Sequence, residues 1–228
     1  VNGFPAGVSV ATFRLRSAAL FGSYAAAIVF VAAAALLERR SAPELAVDHT
    51  LLGAVCGIAI PLLAYSAVAR ASNYGRLEDA AHALARHGAN RKAVVLGVVV
   101  ATGARVAVVA AGIAAMAVFV AGGRADRAAF GDAFTSAWVA ALGGAAYVAW
   151  FALGSSFGRA GRGRTVCLAT DWVLGSATSA IALPWPRAHL RSLMGGAPVF
   201  DLSGRENTAA LYVLAAVYLL ACASRVPR

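Results

Sequence analysis

Charge is scarce in this chain. Only 13% of its 228 residues are Asp, Glu, Lys or Arg, about half of the roughly 25% usual in soluble domains. A chain that is also 61% hydrophobic cannot cover a soluble surface, so composition excludes an ordinary soluble domain and points to a membrane protein. Lysine is all but missing, Lys92 being the only one, and Ala and Gly abound. This resembles GC-rich codon usage, so Ala/Gly patterns carry little weight. The three cysteines, Cys56, Cys167 and Cys222, stand alone in apolar runs, with no CxxC and no disulfide framework. The four histidines (His49, His82, His87, His189) have no metal-ligand spacing. No G-x-x-x-x-G-K-[ST] loop is present to cradle ATP phosphates. Gly154-Ser155-Ser156 has no nearby His to make it a protease site, and no paired carboxylates suggest acid–base chemistry apart from the adjacent Glu78 and Asp79. The chain reads as a non-enzyme with no cofactor of its own.

What is present is a series of long apolar runs. A spanning helix needs about 20 mostly apolar residues. Residues 17–37, 50–69, 93–121, 133–157, 165–183 and 207–223 meet that length, the third interrupted by Arg105, the fifth carrying Asp171 and the sixth the shortest. The first run is too long for the apolar core of a cleaved signal peptide, and it ends in Glu38-Arg39-Arg40. The reading is one all-α integral membrane domain over residues 1–228 with six transmembrane helices.

Orientation follows from the arginines. With the N-terminus inside, the inner segments carry Arg14, Arg16, Arg70, Arg76, Arg86, Arg91, Lys92, Arg159, Arg162, Arg164, Arg225 and Arg228 against Glu78 and Asp79 alone. The outer segments balance, Arg39, Arg40, Arg124, Arg127, Arg187, Arg191 and Arg205 facing seven carboxylates. The whole net charge of +10 therefore lies on one face, which the positive-inside rule makes cytoplasmic, with both termini inside. Short basic loops at helix ends are explained by topology and anionic headgroups, so no nucleic-acid partner is expected; membrane lipids are. Residues 1–16, with Phe4, Val8 and Phe13 as membrane-facing side chains and Arg14 and Arg16 at headgroup level, read as an interfacial segment that Gly3, Pro5 and Gly7 weaken as a helix.

Between the second and third spans lies GRLEDAAHALARHGANRK, residues 75–92. Leu77, Ala80, Ala81, Leu84 and Ala85 share one helical face, and Arg76, Asp79, His82 and Arg86 take much of the rest. Asn73 is the expected N-cap and Gly88 the expected C′ residue. Glu78 and Asp79 near the start, and Arg86 and His87 near the end, suit the helix dipole. An apolar face of Ala with two Leu buries little area, so it fits a protein groove better than a lipid surface, a surface helix or packing within the chain being the other reading.

Six spans, this inner helix and an outer segment before the last span together resemble the ABC-2 type permeases, the transmembrane subunits of ATP-binding cassette exporters. The resemblance rests on Gly75, Leu77-Glu78, Leu84, the Gly88-Ala89-Asn90-Arg91 turn, Leu96-Gly97, and LPWPRAHLRSLMGGAPVFDLSG over residues 183–204. The family's usual Pro near Gly88 is absent, and the middle of the helix is less Leu-rich. The resemblance implies a coupling helix that docks on a separate ATPase subunit, which holds ATP and Mg. Glu78, Asp79, His82, Arg86 and His87 would be its polar contacts, and Leu77 and Leu84 its apolar anchors. It also implies short outer helices between spans five and six, a second permease subunit (identical or paralogous), the bacterial inner membrane, and export. A non-transporting membrane scaffold or assembly factor, and an ion-coupled carrier, are the alternatives. Arg105 and Asp171 are within reach of each other by residue count, and each is costly in a bilayer. A structural ion pair and a place on the substrate route both fit them. Gly53-x-x-x-Gly57 and Gly154-x-x-x-Gly158 permit close helix contact within or between subunits.

Overall fold

The structure, a computed structural model, describes residues 2–123 and 127–226. Val1, Arg124, Asp126 and Arg228, which enter the reading above, lie outside the described residues. Ten α-helices account for most of the rest, with no strand among the described residues. They are α1 (Gly3–Arg14), α2 (Ala18–Ser41), α3 (Ala46–His49), α4 (Ile60–Ala71), α5 (Asp79–Ala85), α6 (Arg91–Gly122), α7 (Arg127–Gly154), α8 (Gly163–Leu174), α9 (Pro186–Leu193) and α10 (Gly204–Arg225). A π-helix, Thr50–Ala59, joins α3 to α4, so Ala46–Ala71 runs as one long helical rod.

Among the described residues, five helical stretches are long and apolar enough to cross a membrane: Ala18–Ser41, Ala46–Ala71, Arg91–Gly122, Ala129–Gly154 and Gly204–Arg225. They match five of the six expected spans. The last begins a turn earlier than its apolar run because Ser203 and Glu206 form a reciprocal capping box, Ser203 N–H donating to Glu206 Oε2 at 2.7 Å. Asn90 and Ser17 cap α6 and α2 through their side-chain oxygens.

The expected fifth span, residues 165–183, is not one helix. Its helix α8 stops at Leu174 after 12 residues, about 18 Å at 1.5 Å per residue against a hydrocarbon core of roughly 30 Å. Gly175 follows, then a 3-10 turn over Ala180–Ala182 and the short α9. A hydropathy count sees only an apolar run. What breaks it is the return of the chain across the end of α8: a Cβ at Gly175 would lie 2.8 Å from Arg187 Cβ and 3.2 Å from Trp185 Cβ, so only glycine admits that crossing.

At the centre α6 and α7 form an antiparallel hairpin. Gly144 lies against Val106 and Ala110, and Gly103 against Val148, so small residues bring the two backbones together. Helices α2 and α10 are peripheral, each burying 22% of its apolar window against 50% for α6 and 67% for α7. The turns ending α4 and α7 meet, with α1 and α5 packed beside them and Arg225 at the end of α10 stacked 4.9 Å over the Phe157 ring. This basal end therefore carries α1, α5 and the close of α10.

The N-terminal segment is an ordered helix, and its glycines are the reason. Gly3, Gly7 and Ala11 recur every fourth residue and are buried against α6. A Cβ at Gly7 would overlap the Val94 carbonyl, and one at Gly97 the Phe4 carbonyl. Phe4 and Phe13 face outward as expected, Phe13 being 81% exposed. Arg14 Nη1 donates to the Ala71 carbonyl at 2.6 Å and so ties α1 to the end of α4. Partial burial lowers the Arg14 pKa from its ordinary value, but an arginine stays charged at neutral pH.

Candidate functional site

The 75–92 segment folds as a seven-residue helix, α5, inside a longer set of turns. Gly88 takes φ +80 as a C′ glycine should. The Ala89 N–H reaches the Leu84 carbonyl and the Gly88 N–H the Ala85 carbonyl, the two bonds of a Schellman close. The expected N-cap is different. Asn73 has φ +52 and sits in a left-handed turn with Tyr74, well ahead of the helix. Asp79 does the local work instead, its Oδ2 accepting the Arg76 N–H at 3.0 Å. Glu78 pairs with Arg76 at 2.8 Å, and Asp79 Oδ1 lies 3.4 Å from His82 Nδ1.

The amphipathic reading holds, with a particular outcome for each face. Leu77, 2% exposed, is inserted among Val68, Val98, Val148 and Ala152 of α4, α6 and α7. Ala80 and Ala81 are buried, and Leu84 is half-buried against the same core. Asp79, His82, Arg86 and His87 are exposed, and Glu78 is half-buried. The apolar stripe thus faces this chain's own bundle, and Leu77 is not available at the surface.

What mounts α5 is Arg164, which enters the sequence pattern only as one of the inner-face arginines. It opens α8 and is 6% exposed. Its Nη1 donates to Ser72 Oγ, the Gly75 carbonyl and Ser155 Oγ at 3.1 to 3.4 Å, and its Nη2 to the Tyr74 carbonyl at 3.1 Å. The left-handed turn at Asn73–Tyr74 aims those carbonyls inward, and the guanidinium fork matches them. Arg76 Nη2 donates to the Ser156 carbonyl, and the Leu77 N–H to that of Ser155. Gly161 lies so close that a Cβ would overlap the Gly75 carbonyl. The turn before α5 is therefore bolted to the ends of α4, α7 and α8.

The two charges that interrupt the apolar runs, Arg105 and Asp171, do not pair. Arg105 holds its guanidinium 5.3 Å from the Phe21 ring and 5.8 Å from the Tyr24 ring on α2. Asp171 is fully buried on the other side of α7, accepting the Tyr147 O–H at 2.8 Å and the Arg187 N–H at 3.2 Å. The Arg187 guanidinium turns away to the Gly57 carbonyl, with Nη1 and Nη2 at 3.2 and 3.1 Å. The reason lies in the sequence: Pro61 has no N–H, so Gly57 lacks the donor four residues ahead that an α-helix would supply. Beyond this, each ring nitrogen of buried His189 lies 2.8 Å from an oxygen, of Asn207 and of Leu183. The Asn207 amide nitrogen donates to Ser192 Oγ and the Leu202 and Ser203 carbonyls. The broken segment is thus filled by its own polar contacts, which satisfy backbone and side-chain groups that no regular helix pairs.

Of the two GxxxG motifs, a Cβ at Gly53 would meet no atom within 4 Å, whereas one at Gly154 would press on Cys167 and the Arg164 backbone inside this chain. Among the described residues no group of three His, Cys, Asp or Glu is placed to hold a metal ion. No protein-family model, curated protein or solved structure matches the chain.

Proposed function

We propose that this chain is the permease subunit of an ABC-type exporter, with α5 as the element that receives motion from a separate ATPase. The observation that carries the reading is the mounting of α5. Its apolar side is fixed into the bundle, its Asp79, His82, Arg86 and His87 side chains project from the base, and Arg164 joins the preceding turn to α4, α7 and α8. A push on α5 therefore reaches three bundle helices through one buried guanidinium. The partner would bind ATP and Mg. The broken α8–α9 segment would serve as the fifth, incomplete passage of six, placing both termini in the cytoplasm of a bacterial inner-membrane protein. A second permease copy or paralogue would complete the route.

The test is capture of the chain from native membranes in mild detergent through a C-terminal tag. A P-loop ATPase recovered at about one per permease, and lost on Arg86→Glu with His87→Glu, is the expected result. Both positions are exposed, so the variant keeps its fold. Recovery of the intact chain with no ATPase removes the proposal and leaves α5 as a scaffold element for another partner.

A further inference from the structure

Helices α2 and α4 run antiparallel at the edge of the bundle, and two cavities lie along the seam between them. At the basal end is a basin of about 470 Å³ lined by Phe13, Arg14, Arg16, Ser17, Arg70 and Asn73. Further along is an apolar groove of about 490 Å³ lined chiefly by Ala26, Ala27 and Phe30 of α2 and by Ile58, Leu62 and Leu63 opposite. The two follow one another along both walls: Arg70 is one helical turn from Ser66, which lines the groove, and Ser17 is six residues from Ser23, which lines it too.

The basin holds three arginines and no carboxylate. Two are oriented from behind: Arg14 by the Ala71 carbonyl, and Arg70 by Ser17 Oγ at 2.9 Å and Tyr74 O–H at 3.3 Å. The Arg16 side chain makes no hydrogen bond or ion pair among the described residues; only its backbone N–H is engaged, by the Phe13 carbonyl. The carboxylates nearest in sequence, Glu78 and Asp79, are engaged with Arg76 and His82. The N-terminus of α2, a 24-residue helix capped by Ser17, opens on the same basin and adds its dipole. The missing partner is an anion. From Ser17 to Phe30 the seam rises about 20 Å at 1.5 Å per residue, on the scale of one leaflet of a hydrocarbon core of roughly 30 Å. An anion at the basic end continued by an apolar chain along the groove has the shape of a lipid.

We propose that this seam is a binding site for an acidic phospholipid, its phosphate held by Arg14, Arg16, Arg70 and Ser17 and one acyl chain lying between α2 and α4. Phe13, exposed beside the basin, covers the junction of headgroup and chain. The site needs no ATPase and stands apart from the function proposed above.

Native mass spectrometry of the full chain in detergent, titrated with dioleoyl phosphatidylglycerol and separately with phosphatidylcholine of the same chains, tests it. Phosphatidylglycerol should bind preferentially. Arg16→Gln, which breaks no contact within the protein, should weaken it about five-fold, the share of one arginine near a membrane surface. Ala26→Trp, which fills the groove without touching an arginine, should weaken it as well. Equal binding of the two lipids, or an unchanged affinity in Arg16→Gln, overturns the site. Inorganic phosphate competing as strongly as the lipid, with Ala26→Trp silent, makes it an anion site and overturns the lipid. A dimer that Ala26→Trp dissociates, with no lipid bound, gives the groove to a second copy and overturns it equally.

Discussion

Tyr147 and Asp171 meet 2.8 Å apart in a fully buried place, and each takes most of its polar satisfaction from the other's neighbourhood. Removing the phenol oxygen leaves the carboxyl with only the Arg187 N–H as a protein donor among the described residues. Tyr147→Phe should therefore destabilise the protein by about 1–3 kcal/mol, or roughly 2–4 °C of Tm per kcal/mol for a chain of this length. Thermal unfolding in detergent reads it, and an unchanged Tm would show that the bond contributes nothing. At this scale the sequence was half legible. Arg105 and Asp171 stood out because a lone charge in an apolar run is expensive, but their partners were hidden. Asp171 is served from 24 residues before it and 16 after it, distances over which no local pattern operates. Arg105 is served by two aromatic rings, which carry no complementary charge to search for. Arg164 looked like loop charge because its acceptors are main-chain carbonyls and hydroxyls, which every sequence has in plenty.

Elements were legible where length and hydropathy decide them and illegible where one backbone group does. The rod over Ala46–Ala71 was expected as a plain span; its π-helix depends on how the carbonyls before Pro61 find donors. If Arg187 supplies what Pro61 withholds from Gly57, the two residues must be energetically coupled. Arg187→Ala alone should cost about 1–3 kcal/mol by removing both guanidinium bonds to the Gly57 carbonyl. In a Pro61→Ala background, where residue 61 regains an N–H, most of that loss should vanish. A double-mutant cycle on unfolding free energies measures the difference. Strict additivity would mean that the guanidinium sits at Gly57 without stabilising it. The same blindness affected α1, whose glycines counted against a helix by propensity. They are the contact surface on α6, a role visible only when Gly97 is seen opposite them.

For the whole molecule, the charge count depends on which helix end a residue flanks rather than on any contact, and that is why it could be read early. The structure adds that α1, α5 and the close of α10 share one end of the bundle, although the passage between α7 and α10 is broken into α8 and α9. An all-helical bundle with five membrane-length helices fits this arrangement only if the broken segment carries the chain from the basal end to the start of α10. The basal end holds the excess of arginine, so the positive-inside rule predicts that it faces the cytoplasm. Labelling can check both steps, because Cys56, Cys167 and Cys222 are all buried and give little background. Single cysteines at the exposed positions His82→Cys and Ser224→Cys should react with a membrane-impermeant maleimide only after the cytoplasmic face is opened. Ser41→Cys, at the far end of α2, should react in intact cells. If Ser224→Cys labels with Ser41→Cys instead, the broken segment does not complete a passage and the termini lie on opposite sides. If all three labels are reversed together, the fold stands and the orientation read from the arginines is wrong.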